Sequence, residues 1–243
     1  MNARPYLAAL ALASLTCTAG AAPDQAQTLR PFEASYAWSW HGATVAVSTL
    51  RLERRDGETW AYSSSSEPRG VGYLYPIHPE LLSVLRVTDQ GVQPLSFKAD
   101  AGSASRNADV RFDWQGGRAS GIYEGVAVDM PIKPGLQDDL SVQIALMFDL
   151  LRGHPPDTLW MIDKNTVRDY RYRREGEERI DTPFGPVDTV IYSSQHPGSP
   201  RTTRFWCAPS KGYLPMRVEQ KRLDSVEWTM KIRTFRPGSS GAP

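Results

Sequence analysis

Two adjacent carboxylates, Asp138 and Asp139, sit at the head of the stretch GLQDDLSVQIALMFDLLRG (residues 135–153) and are the side chains whose type and spacing first suggest chemistry. A pair of acids can divide general acid and general base work, but only if they stand on opposite sides of a substrate. Neighbours at the start of a helix do not supply that geometry unaided. The position accounts for them without a substrate: Asp138 can accept a free backbone N–H, and both acids suit the positive end of the helix dipole, worth about 0.3–1 kcal/mol each. Both effects lower a carboxylate pKa, the wrong direction for a general acid. The expectation is that these acids start the helix. A hydrolase acting on an envelope component, with Asp138 or Asp139 paired to a loop histidine, is the alternative.

Other reactive groups are scattered. The histidines (His41, His78, His154 and His196) lie at least 37 positions apart, with no ligand spacing, so no metal or cofactor is expected. The chain has no G-x-S-x-G elbow, phosphate-binding glycine loop, H-E-x-x-H or C-x-x-C. Cys207, beside Trp206 on an expected strand, reads as a buried, inert thiol.

The elements that must position these residues are mostly strands. In FEASYAWSW, Phe32, Ala34, Tyr36, Trp38 and Trp40 share one face. TVAVSTLRLE and TWAYSSSS follow, and residues 81–100 read as two strands about Asp89-Gln90-Gly91. The charge-dense RDYRYRREGEER (168–179) mixes signs and reads as the solvated face of a strand pair. Roughly twelve short strands surround one helix over residues 138–152, with an apolar stripe of Leu140, Ile144, Met147, Phe148 and Leu151. Gly153 and Pro155-Pro156 end that helix. The fold class is mainly β: one curved antiparallel sheet or open β-barrel, with the single helix in its concave face. A two-sheet sandwich is the alternative.

Aromatic surface is the other feature. Without Tyr6, 23 Phe, Trp and Tyr remain, and Trp38, Trp40, Tyr73, Tyr75, Trp114 and Trp160 stand out. They serve either as core or as the lining of a site for a hydrophobic, lipid-like ligand.

Residues 1–21 read as a secretory signal: Arg4, an apolar run over Tyr6–Leu15, and Ala19-Gly20-Ala21 with cleavage after Ala21. The run is too short to span a bilayer, which takes about 20 apolar residues. Lipid attachment at Cys17 is disfavoured by Ser14, where such a signal wants leucine. Processing leaves Cys207 alone, so no intramolecular disulfide can form. It also removes one base of 28, leaving 27 basic and 27 acidic residues, without the positive excess of a nucleic-acid binder. The expected layout is a signal over 1–21, an extension over 22–31, one β domain over 32–235 and a disordered tail over 236–243. No transmembrane segment is expected after processing.

Several segments, in order, carry a resemblance: FEASY, GVQPLSF, VRFDW, LQDDLS, REGEERIDTPFGPVDTV and RFWCAPSKGYLPMRVEQ. Together they resemble the bacterial family catalogued as domain of unknown function 3108. The resemblance implies an exported protein of Gram-negative bacteria with a largely antiparallel β domain, and brings no established activity. The positions matching its pattern are Asp138, Ser141, Thr182, Pro183, Gly185, Trp206, Pro215, Arg217 and Glu219, each expected to cap, turn or pair. A looser, fold-level similarity is to periplasmic lipoprotein carriers. The leading expectation is a non-enzymatic periplasmic protein that binds a lipid-like molecule or an envelope component. A protein-docking module of the cell envelope is a further alternative.

Overall fold

The computed structural model describes residues 28–74 and 77–238. The expected signal and Ala21 cleavage site, Cys17, Tyr75 and the last five residues lie outside them. In the first half of the chain the strands are β1 (Phe32–Trp40), β2 (Ala43–Arg54), β3 (Thr59–Pro68), β4 (Glu80–Thr88), β5 (Gly91–Asp100), β6 (Ala108–Asp113), β7 (Arg118–Tyr123) and β8 (Val126–Pro131). A two-residue strand β9 (Leu136–Gln137) leads to the helix α1 (Ser141–Leu151). The second half holds β10 (Thr158–Asp163), β11 (Thr166–Thr182), β12 (Gly185–Gln195), β13 (Arg201–Ala208), β14 (Leu214–Arg222) and β15 (Ser225–Pro237).

All fifteen strands form one sheet in the order β8-β7-β6-β5-β4-β3-β2-β1-β15-β14-β13-β12-β11-β10-β9. Each neighbour is antiparallel except β9, which pairs parallel with β10. The first half of the chain therefore fans out from β1, the second half returns to it, and β1 pairs with β15 to join them. The sheet is curved and does not close into a barrel, because its two ends, β8 and β9, are not paired with each other.

Alternation fixes which face is inside. Phe32, Ala34 and Tyr36 of β1 are buried as expected, whereas Trp38 is half-buried and Trp40 is half exposed because the strand runs on past the core. The α1 helix packs against β5 and β9 and contributes Ile144, Ala145, Leu146, Met147 and Leu150 to the core. Those positions go beyond the expected stripe, because the sheet curves round more than one side of the helix. Burying a large apolar side chain such as Ile144 contributes about 1.5–3 kcal/mol.

Three boundaries differ from expectation. The helix begins at Ser141 rather than 138, since Leu136 and Gln137 are drawn into pairing with β10 and the acids form the turn between. RDYRYRRE and EERIDT are one strand, β11, carried through a bulge at Glu175. The final strand includes Arg236 and Pro237, opposite Glu33 and Phe32, so the expected tail starts at least two residues too early. The helix end is as expected: Gly153 takes φ +71°. There the His154 N–H reaches the Asp149 carbonyl (2.9 Å) and the Gly153 N–H reaches Leu150 (3.1 Å), a Schellman motif.

Candidate functional site

The two acids have different surroundings. Asp138 is fully buried. One carboxyl oxygen accepts the backbone N–H groups of Leu140 and Ser141, both at 2.8 Å, and the other accepts the Ser83 hydroxyl at 2.6 Å. Its own N–H donates to the Ser141 hydroxyl. This knot satisfies helix-start donors and ties them to β4. Burial still pushes the Asp138 carboxyl above its ordinary pKa, with the hydrogen bonds pulling back. Asp139 accepts the Tyr123 hydroxyl at 2.6 Å. Crowding by protein pushes its carboxyl up to about 6, although the side chain keeps one exposed side where water tempers that burial. Both shifts reverse the lowering expected from capping alone, because desolvation outweighs the helix-start donors. Among the described residues, neither carboxyl is hydrogen-bonded to a histidine.

A cleft lies further along the same helix. β5 pairs with β6 only from Ser96 to Ala99, so its first half has no strand partner on that side. Pro94 belongs to that half and has no N–H to offer a neighbour. The carbonyls left over are met by side chains: Gln137 donates to Val92 at 2.8 Å, and the Trp114 indole donates to Pro94 at 2.6 Å. The gap forms a half-open cleft of about 440 Å³, walled by Val92, Trp114, Ile132, Leu159, Gln137 and Asp149 among others.

Two acceptors in this wall lack protein partners among the described residues. The Gln137 amide nitrogen serves Val92 and Gly135, which fixes the oxygen as its other end; that oxygen is buried with no hydrogen bond. Asp149 sits in the last turn of α1, where the helix dipole disfavours an acid. Burial pushes its carboxyl up to about 6, against the pull of Arg152 and His154.

Of the aromatic residues singled out from the sequence, the cleft takes Trp114. Trp160 stands next to it, its ring 3.6 Å from where a Cβ on Gly135 would fall and covered by the Lys133 ammonium at 3.9 Å. Trp38 and Trp40 lie on β1, Trp38 against Trp228 at 5.1 Å, and Tyr73 lies exposed in a short 3-10 turn beside β2. These belong to another region of the sheet. The motif-matching residues form turns and ladders. Thr182 and Gly185 shape the hairpin around Pro183, with Gly185 at φ +103°. The Pro215 carbonyl accepts the Tyr36 hydroxyl at 2.9 Å. Trp206 donates to Glu178 at 2.7 Å and lies under the Arg217 guanidinium at 4.4 Å, while Arg217 pairs with Glu219. Cys207 is buried, which pushes its thiol well up. Among the described residues, no cluster of three or more His, Cys, Asp or Glu could hold a metal ion, and no helix is long and apolar enough to cross a membrane.

Sequence reasoning missed Gln137 and Asp149. An acid in the last turn of a helix was a visible clue; a buried glutamine had no signal of its own.

A comparison with curated proteins finds no match. Among solved structures, the chain is similar to a β-barrel-like protein of domain of unknown function DUF1849 from Brucella abortus, at 9% identity and a TM-score of 0.56, over 87% of this chain and 99% of that one. At such identity the likeness speaks for the fold alone. A Bacteroides fragilis protein with a YmcC-like fold matches at 10% identity over 86% of this chain and 96% of that one, but its TM-score of 0.35 carries no argument. Residues 32–231 match the family described as Protein of unknown function (DUF3108), and the chain belongs to that family.

Proposed function

We propose that this is an exported envelope protein, periplasmic after signal removal, that binds a small amphipathic molecule in the cleft beside β5. The observation that carries the reading is the buried Gln137 oxygen without a partner in a half-apolar cleft. A buried acceptor left unmet costs about 1–3 kcal/mol, and a ligand donor recovers it once the side chain turns this oxygen, closed off from solvent, into the cleft. Small-molecule sites have this character, apolar walls with a few placed polar groups. The signal-like N-terminus supports export. Trp114, one of the aromatics read from the sequence as either core or ligand lining, serves as the wall; Trp160 supports the rim through Gly135.

Native mass spectrometry of protein purified from the periplasm tests this, followed by extraction and identification of what leaves with it. The expected result is a near-stoichiometric amphipathic molecule, lost in Ile132→Arg, which plants a charge in the cleft wall. A clean unliganded mass, together with no uptake of added short-chain amphiphiles, overturns the reading.

A further inference from the structure

We infer that the cleft selects an amphiphile with an ammonium head group over one with a carboxylate or phosphate head. The inference rests on the binding reading above and gives the ligand's charge.

The polar side chains of the wall are Gln90, Gln93, Gln137 and Asp149, and no Lys, Arg or His is among its lining residues. Gln90 and Gln93 carry neutral amides that can donate or accept, whereas Gln137 and Asp149 offer acceptors alone. Gln137 has both ends defined: its nitrogen is committed to the Val92 and Gly135 carbonyls, so its unpartnered oxygen can only accept. Among the described residues, no hydrogen bond or salt bridge reaches the Asp149 carboxyl. Arg152 and His154 attract the Asp149 carboxyl from the helix end without bonding it; the Arg152 guanidinium donates instead to the Asp89 carbonyl and lies 5.4 Å from the Phe148 ring centre. His154 follows the helix end and is exposed.

An anionic head entering this cleft would lose hydration and meet a like charge, with no basic side chain in the wall to compensate. A protonated primary amine carries three donors and one positive charge, which suits one neutral and one charged acceptor. The apolar part of the same molecule has Val92, Trp114, Ile132 and Leu159 to cover it. The position of Asp149 strengthens the case, because an acid in the last turn opposes the helix dipole and is not there to hold the helix.

The test is isothermal titration of the mature chain with three probes of one chain length: octylammonium, octanol and octanoate. Octylammonium is expected to bind at least about tenfold tighter than octanoate, the scale of one charge-assisted hydrogen bond, with octanol between them. Asp149→Asn keeps the shape and removes the charge; it is expected to cut that preference to about threefold or less. A cooperative urea melt of the variant, at or above the wild-type midpoint, shows that it is folded. Octanoate binding as tightly as octylammonium overturns the inference but keeps the binding reading, and so does a preference that survives Asp149→Asn. Failure of all three probes overturns both.

Discussion

The two halves of the chain meet twice, and the two meetings are built differently. At β1 and β15, nine residue pairs from Phe32↔Pro237 to Trp40↔Trp228 zip the halves with main-chain pairing, and Tyr36 fills the inside. At the opposite side, β8 and β9 never pair. Side chains do the joining there: the Asn165 carbonyl oxygen accepts the Asp129 N–H at 2.9 Å, Lys164 meets Glu124 at 3.5 Å, and Gln137 reaches across to β5. Main-chain pairing runs the length of β1 with one bulge, at Arg233. Side-chain joining is local and incomplete, and it leaves unmet acceptors beside a cleft. The first meeting is built for stability, and the second carries the proposed binding cleft.

The largest effect is expected from breaking the closed meeting. Tyr36 is fully buried and its hydroxyl holds the Pro215 carbonyl of β14. Tyr36→Ala should cost about 3–5 kcal/mol, by analogy with other large buried aromatics cut to alanine. Urea unfolding measures this. Tyr36→Phe, which loses the one hydrogen bond, should cost about 1–2 kcal/mol and separates packing from bonding. Neither change touches the cleft, so probe affinity of the folded fraction should hold.

Next comes the knot that anchors the helix beside the open meeting. Asp138→Ala strands two backbone N–H groups and the Ser83 hydroxyl in a dry site, an expected loss of about 2–4 kcal/mol in the same urea measurement. Asp138→Asn should retain most of that stability, because an amide oxygen can still accept from Leu140 and Ser141 while its nitrogen turns to Ser83. An equal loss in both variants would mean that the negative charge, rather than the hydrogen-bond geometry, holds the helix start.

How much of this contrast could be read beforehand depends on what sets each part. The inward face of β1 was legible over Phe32, Ala34 and Tyr36, because period-2 alternation reports burial directly. The helix was legible through its apolar spacing and Gly153. The open meeting was not, because it depends on which strands stop pairing early, and pattern within a strand says nothing about the length of its neighbour. One residue did carry a hint: Pro94, inside GVQPLSF, can donate no ladder bond and so marks a stretch with a missing partner. Gln137 gave no hint, since a polar residue in a two-residue strand looks like any loop residue. Of the two acids only Asp138 meets helix-start donors, while Asp139 holds Tyr123, and the pKa direction of both was misjudged, because burial by a sheet far away in sequence outweighs the local donors.

A smaller effect, of opposite sign, is expected at Asp149. Its carboxyl is pushed up to about 6 in the folded protein, above the ordinary aspartate value. The folded state therefore holds its proton to higher pH than the unfolded chain does. This group's contribution is most favourable below about pH 4 and is lost as pH rises through about 6. Asp139, also pushed up to about 6, contributes in the same direction. Urea midpoints measured from pH 4.5 to 7.5 should fall across that window on account of these groups. Asp149→Asn should make the fall shallower and, at pH 7.5, should stabilise by about 0.3–1 kcal/mol as an acid leaves the helix C-terminus. A stabilised variant with a weakened ligand preference would mark Asp149 as a residue kept for binding at a cost to folding. A destabilised one would mean the carboxylate has a structural partner when folded.

The smallest effect sharpens the comparison at its finest grain. Asn165 lies in the turn between β10 and β11, yet its side chain accepts an N–H from β8, the other end of the sheet. If side chains are what keeps the sheet ends together, Asn165→Ala should cost only about 0.5–1.5 kcal/mol, the net value of one hydrogen bond. Its mark should instead be local. Amide hydrogen exchange at Asp129 should quicken by about tenfold, the equivalent of 1.4 kcal/mol, while the amides of β1 keep wild-type protection. Protection lost equally at both places would mean that the two meetings open as one cooperative unit, and the division between a stabilising side and a binding side would fail. Protection lost at Asp129 alone would show that the sheet can part where its side chains hold it, beside the cleft, without loosening where its backbone does.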